Sequence, residues 1–186
     1  MKLTFITTNK YKVEEIDAVL KNYGLEIEQV VMEYPEDKEK DVAEVAAESA
    51  KYLSKKLNKP VITEDTGLYF KAYNNFPGAL PKFLFKGVGF EGIFKLLRGK
   101  DKKAYFKTVM AYCEPDEESV LFEAEMHGEI AAKVVLSKAD AMPYDHIFIP
   151  DGHKKAIVQM SMEEKNSFSQ RGQAARKLGE YLRNKK

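Results

Sequence analysis

The sequence predicts an α/β fold: a mixed sheet, parallel where it begins and antiparallel in its middle, in one domain (residues 1–186) with two lobes. Three observations carry this. From Leu3 to Leu68, apolar runs of strand length alternate with helix-period stretches, the pattern of parallel strands joined by crossover helices. Two later strand-length runs are separated only by a polar turn, so they form a hairpin rather than another crossover. No repeat, low-complexity tract or linker divides the 186 residues, a length that suits one domain with a substantial core.

The elements follow in order. Leu3, Phe5 and Ile6 form the first strand, which breaks into Thr7-Thr8-Asn9-Lys10-Tyr11-Lys12. Val13, Ile16, Val19, Leu20 and Tyr23 then recur at helical spacing, and Gly24 is placed to end that helix. Residues 27–32 read as a second strand. A charged stretch over 36–41 leads into a second helix with Val42, Val45, Ala46, Ser49, Leu53 and Leu57 on one face. Pro60 opens a short buried strand, Val61-Ile62-Thr63, which runs into Glu64-Asp65-Thr66-Gly67, a sequence expected to turn. Asn74-Asn75-Phe76-Pro77-Gly78 reads as a loop, and residues 90–97 as a short helix closed by Gly99. Residues 104–112 and 120–126 are the hairpin strands. Ile147-Phe148-Ile149 is one more short strand. Ser161 and Glu164 have capping-box spacing. Ala174, Ala175, Leu178, Tyr181 and Leu182 mark the apolar face of a final helix.

Composition narrows the function. Hydrophobic residues at 44% and charged residues at 32% describe an ordinary globular chain. A formal net charge of +1 excludes a strong global field, so any polyanion must be held by local clusters. The single cysteine, Cys113, excludes an internal disulfide and a cysteine-based zinc site, which fits a reducing cytoplasm. No signal-like or membrane-length apolar run appears, so a cytoplasmic protein with no membrane partner is expected. The basic C-terminus (Arg171, Arg176, Lys177, Arg183, Lys185, Lys186) reads as the solvated face of an amphipathic helix rather than a nucleic-acid surface.

Two places can carry chemistry. A strand that ends in hydroxyls, an amide and ammoniums where a helix begins is either an anion seat or a plain N-cap at Asn9 with solvated lysines. Glu64 and Asp65 leave a buried strand at the carboxyl end of the sheet, where open α/β sheets collect ligands; the alternative is an ordinary turn. Hard carboxylate oxygens suit Mg²⁺, and Glu36 is a candidate for the second carboxylate. Lys12, Lys51, Lys82, Lys165 and Arg171 are candidates to converge on a polyphosphate; the default for any one of 30 Lys and Arg is a solvated surface charge. Gly87-Val88-Gly89-Phe90-Glu91-Gly92 matches a dinucleotide fingerprint but lies outside any first βαβ unit and is discounted. The histidines lack metal-ligand spacing.

Laid end to end, these motifs resemble the ITPase/Ham1 family of inosine/xanthosine triphosphate pyrophosphatases, over almost the whole chain. Thr7-x-Asn9-x-x-Lys12 is similar to T-x-N-x-x-K, and Tyr34-Pro35-Glu36 to the acidic loop. Glu64-Asp65-Thr66-Gly67-Leu68 is similar to (E/D)-D-(S/T)-G-L, and Phe76-Pro77-Gly78 with Lys82 to F-P-G and its lysine. Tyr144-Asp145-x-Ile147-Phe148 resembles Y-D-P-I-F. Glu164-Lys165-Asn166 and Ser169-Gln170-Arg171 resemble E-K-N and S-H-R. The resemblance implies an elongated mixed sheet flanked by helices, two lobes around a central active-site cleft, and a homodimer. It implies attack of water between the α and β phosphates of a nucleoside triphosphate such as ITP, dITP or XTP. Glu36 and Asp65 would hold Mg²⁺. Asp65, with Lys51, would carry catalysis. Thr7, Asn9, Lys12, Lys51 and Lys82 would grip the phosphates. Tyr144 would stack on the base, and Asp145, Lys165, Gln170 and Arg171 would read its edge.

This chain departs from the family pattern at the base end. Gln170 stands where the family has His, Met142-Pro143 where it often has Phe-Gly, His146 for a proline, and Gln159 for an acidic residue. An amide both donates and accepts, so Gln170 can pair with an amino as well as an oxo group. Two other readings remain open: a Maf-like pyrophosphatase of modified pyrimidine triphosphates, and a nucleotide-binding module without turnover.

Overall fold

The computed structural model describes residues 2–37 and 40–185. The charged stretch expected over 36–41 is therefore described only in part, and Lys186 lies outside the described residues.

Strand β1 (Lys2–Ile6) pairs in parallel with β2 (Glu26–Val30), Lys2 opposite Glu26. It also pairs in parallel with the start of β3 (Val61–Phe70), Thr4 opposite Val61 and Phe5 opposite Ile62. The crossovers are α1 (Lys10–Leu20) and α2 (Val42–Leu57). Asn9 caps α1 through the Tyr11 amide, and Asp41 caps α2 in a full capping box with Glu44. Gly24, at φ 68°, takes the left-handed turn that releases the chain into β2.

Beyond β3 the sheet is antiparallel. Strand β4 (Phe76–Gly78) returns along the end of β3, so part of the expected loop over 74–78 is a strand. Helix α3 (Pro81–Leu96) follows, then the hairpin strands β5 (Lys103–Cys113) and β6 (Val120–Ile130), and β7 (Phe148–Pro150). Helices α4 (Met162–Phe168) and α5 (Gln170–Asn184) close the chain. The seven-stranded sheet runs β2-β1-β3-β5-β6-β7, with β4 on the flank of β3. This is the mixed α/β architecture expected.

Two further expectations are corrected. Glu64-Asp65-Thr66-Gly67 does not turn: β3 continues through it to Phe70, every residue in register with β5, Glu64 opposite Met110 and Asp65 opposite Val109. Ten consecutive cross-strand pairs outweigh a local preference for turning. Helix α3 starts at Pro81 rather than at residue 90 and breaks at Gly89, whose φ of 59° and ψ of −168° only glycine adopts freely. The discounted glycine pattern therefore serves a kink. Its apolar residues lie on all sides, so no helical period marked the first half.

Alternation along β3, β5 and β6 builds the cores. Ile62, Met110, Tyr112, Phe122 and Ala124 pack under α1 and α5 on one sheet face. Leu68, Phe70, Phe106, Met126 and Ile130 continue that face into a second apolar cluster with α3, Tyr144 and Phe148. Val61, Val109, Ala111 and Cys113 form the opposite face under α2. Between the first two clusters, the same face carries Glu64, Thr66 and Thr108. A polar seam thus separates the two apolar clusters on this face.

Candidate active site

Strand β1 ends at Ile6 while β3 runs on, so the stretch from Glu64 onward loses its parallel neighbour. The Thr7–Asn9 turn and the first turn of α1 fill that edge. Thr7 Oγ1 accepts from the Asn9 amide at 3.1 Å, and Asn9 Oδ1 accepts from the Tyr11 amide at 3.0 Å. Both motif side chains therefore shape the turn. Lys10, in the same turn, is committed to Asp140 at 2.5 Å, and the Tyr11 hydroxyl donates to the same carboxylate. Lys12 reaches the sheet edge instead. Its ammonium donates at 2.9 Å to the carbonyl of Glu64, the peptide leading into Asp65, and pairs with the Glu64 carboxylate.

Because side chains alternate along a strand, Glu64 and Asp65 point to opposite faces. Glu64 enters the seam. There Arg171, only 3% exposed in its side chain, donates from Nε to Glu64 Oε1 at 3.0 Å and from Nη1 to Glu15 Oε2 at 2.6 Å. Lys165 donates to Glu15 Oε1 at 2.7 Å and to Asp145 Oδ2 at 2.8 Å. Burial alone would raise the Glu64 carboxyl, but Lys12 and Arg171 hold it down to about 2. Glu15 is likewise shifted down: burial opposes ionisation, and Arg171 and Lys165 outweigh it. For Asp145 burial wins over Lys165, and its carboxyl shifts up.

Asp65 lies on the α2 face with Glu36. Both half-buried carboxylates bear on one group, the Tyr34 hydroxyl. Burial, then Glu36, then Asp65 push that phenol far above its ordinary range, and Ser49 of α2 hydrogen-bonds to it with the opposite effect. Two carboxylates on one side of a strand make a small hard-oxygen donor set. Among the described residues no group of three or more His, Cys, Asp or Glu side chains is arranged to hold a metal. Such a pair fits Mg²⁺, which takes one or two carboxylates and fills its shell with water and phosphate oxygens. Glu36 and Asp65 would be the holders.

Other expected residues are placed differently. Lys51 is not brought to the site. It sits on the outer face of α2, 56% exposed, its ammonium on Glu118 of the β5–β6 turn. The helix residue that faces the acidic pair is Ser49, about half a helical turn away. Lys82 is exposed in the first turn of α3, just beyond the strand β4 that borders β3. Tyr144, expected to stack on a base, belongs to the second apolar cluster. It is 8% exposed, caged edge-on by Phe85 and Phe106, and its hydroxyl donates to the Pro81 carbonyl at 2.7 Å. The 3₁₀ turn over Pro143–His146 swings the ring inward. Gln170 is buried at the start of α5, and its Oε1 accepts no hydrogen bond among the described residues.

A profile described as Ham1 family matches residues 3–181. The chain belongs to the Ham1 family. Relatives of this Ham1 chain are named dITP/XTP pyrophosphatase. That of Methanopyrus kandleri is 39% identical, covering 99% of this chain and 97% of its own. That of Hyperthermus butylicus is 41% identical, covering 95% and 92%. Among solved structures, the Staphylococcus aureus Ham1 protein superposes with a TM-score of 0.79 over 100% of both chains at 23% identity, a likeness of fold. The nucleoside-triphosphatase / dITP/XTP pyrophosphatase of Mycobacterium abscessus gives 0.70 at 28% identity over 96% of this chain and 98% of its own.

One residue of the Ham1 seam escaped the sequence reading. Glu15 joins Lys165 to Arg171 and makes the shortest ion-pair contact of each, at 2.7 and 2.6 Å. Its signal was available: it occupies the buried stripe of α1 beside Ile16, Val19 and Leu20, where a charged residue needs a partner.

Proposed function

We infer that the protein hydrolyses inosine- and xanthosine-type nucleoside triphosphates, deoxy forms included, to the monophosphate and pyrophosphate. The relatives' names support the substrate and reaction class. The observation that carries the site is that Asp65 and Glu36 converge on the Tyr34 hydroxyl while Lys12 grips the peptide bond preceding Asp65.

Water attacks the α-phosphorus, the bond from that phosphorus to the bridging oxygen breaks, and pyrophosphate leaves. Asp65 orients the water and takes its proton. Lys12, with the Thr7 and Asn9 turn and Lys82, opposes the phosphate oxygens, which is the main work in a reaction that needs charge dispersal rather than a covalent intermediate. Bound by Glu36 and Asp65, Mg²⁺ would supply further charge neutralisation on the phosphate chain. Lys165, Arg171, Asp145 and Gln170 form the base end. Lys165 and Arg171 are already paired with carboxylates, so either reads a 6-oxo group by trading a carboxylate contact for it. Gln170, with its buried unpaired oxygen, is the residue ready to take a donor from the base.

Our reading is of a cytoplasmic enzyme acting as a homodimer. Its one cysteine, Cys113, is buried as a thiol. Among the described residues no helix is long and apolar enough to cross a membrane. Pyrophosphate release across a panel of nucleoside triphosphates with Mg²⁺ tests the assignment. ITP, dITP and XTP should turn over at least about tenfold faster than ATP, which a single unpaired buried donor or acceptor can supply. Preference for modified pyrimidine triphosphates, or binding of ITP without release, would contradict it.

A further inference from the structure

The Asp65 face of the sheet extends beyond the two carboxylates. Asp65, Gly67 and Tyr69 alternate onto it from β3, and Tyr105 and His127 join from β5 and β6, directly opposite Tyr69 and one another. The three rings form a ladder. Tyr69 and Tyr105 stack at 4.7 Å with planes 9° apart, and Tyr105 and His127 at 5.2 Å and 23°. His127 is steadied by Glu125 at 2.9 Å. The ladder fixes the Tyr69 ring so that it folds back along its own strand over Gly67. A Cβ at Gly67 would lie 2.5 Å from the Tyr69 hydroxyl oxygen. The missing side chain therefore makes the space that the phenol occupies.

The direction of that fold matters. A strand advances roughly 6.6 Å per two residues, so a hydroxyl above Gly67 stands about that far from the Cβ of Asp65. The gap suits one oxygen atom shared between the phenol and the carboxylate's own ligand. The Tyr69 ring is half-buried, so its hydroxyl can still be reached by a ligand at Asp65.

We propose that Tyr69 is a catalytic residue of the pyrophosphatase reaction, donating a hydrogen bond from its hydroxyl to a phosphate oxygen of the triphosphate bound at Asp65. This rests on the Asp65 reading above and adds to it a neutral donor that none of the recognised motifs contains. Neutrality is secured by the surroundings: burial, then Tyr105, Asp41 and Asp65, push the phenol up to about 12, so it remains protonated wherever the enzyme works. A cation there would compete with the metal for the carboxylate; a phenol does not.

Tyr69→Phe keeps the ring, the stack and the space over Gly67 and removes only the donor. It should lower kcat about tenfold to a hundredfold with Tm unchanged, whereas Tyr105→Phe, which loses a hydroxyl from the same ladder, should leave kcat within about twofold. Asp65→Asn is measured alongside. Native kcat in Tyr69→Phe with an inactive Asp65→Asn overturns the Tyr69 proposal alone. Sustained turnover by Asp65→Asn removes the reading on which it rests. Equal losses in Tyr69→Phe and Tyr105→Phe would assign the effect to the ladder as a whole and also overturn the proposal.

Discussion

Under the proposed function, Gln170 is the single side chain whose chemistry bears most on base preference. Its Oε1 is buried without a hydrogen to accept among the described residues, at a cost of about 1–3 kcal/mol unless a ligand supplies one. A 6-oxo purine offers N1–H, and adenine offers its amino group, so the glutamine blurs a distinction that a protonated imidazole, donor only, would sharpen. Gln170→His should raise the ratio of kcat/KM for ITP over ATP, by roughly five- to a hundredfold if the full penalty is recovered. An unchanged ratio would remove position 170 from base selection. Single residues were legible in the sequence where a motif names them and the backbone brings them in, as with Lys12, Glu36 and Asp65. Lys51 was not: nothing in a motif says which face of a helix a lysine takes, and here the apolar stripe of α2 turns Ser49 inward and Lys51 out. Tyr144 is placed in the apolar cluster rather than in the open, and its sequence signal is ambiguous, since stacking on a base and packing in a core ask for the same aromatic ring.

At the scale of elements, the seam between the two apolar clusters is assembled from α1, β3, the 3₁₀ turn at Asp145, α4 and α5, each contributing one or two charges. Arg171 is the joint. It ties the start of α5 to both α1 and β3, and without it Glu64 would keep only Lys12 and Glu15 only Lys165 as cationic partners. Arg171→Met should leave Glu15 and Glu64 buried and undercompensated, a loss of about 3–5 kcal/mol. In a chain of this size that corresponds to a fall in Tm of roughly 6–20 °C by calorimetry. A variant as stable as the native protein would show that the seam is not structural. The elements themselves were mostly legible, because periodicity of 3.6 or 2 records which face is buried. Periodicity failed in two places. In β3 the residues look like a turn, and only pairing with β5 makes them strand. In α3 every face is apolar, so there is no period to find.

Over the whole molecule, the seam couples stability to pH. The folded-state carboxyls of Glu15 and Glu64 are shifted down, Glu64 to about 2 from an ordinary value of 4.5. A depressed carboxyl contributes stability that is present above its unfolded value and is lost as pH falls through its folded value. For Glu64 the window runs from about pH 4.5 to pH 2 and holds roughly 3 kcal/mol. Asp145, shifted up, has the opposite sign: its contribution is present at low pH and fades as pH rises through its folded value. Melting temperature measured across pH 2–7 should fall steeply in the Glu64 window, and Glu64→Gln should flatten that fall while lowering Tm at neutral pH. An identical slope in the variant would place the acid sensitivity elsewhere. The same seam explains the global layout, since strands β3 and β5 run through both apolar clusters and the polar step between them lies back to back with Asp65.

The account depends on Asp65 acting with Glu36 and Lys12 on a triphosphate. The most direct measurement is pyrophosphate release from ITP with saturating Mg²⁺ by Asp65→Asn, with Tm and nucleotide binding followed in parallel. The account predicts a loss of on the order of 10²–10⁴ in kcat, with the protein still folded and still able to bind nucleotide. Near-native release of pyrophosphate by that variant would contradict it.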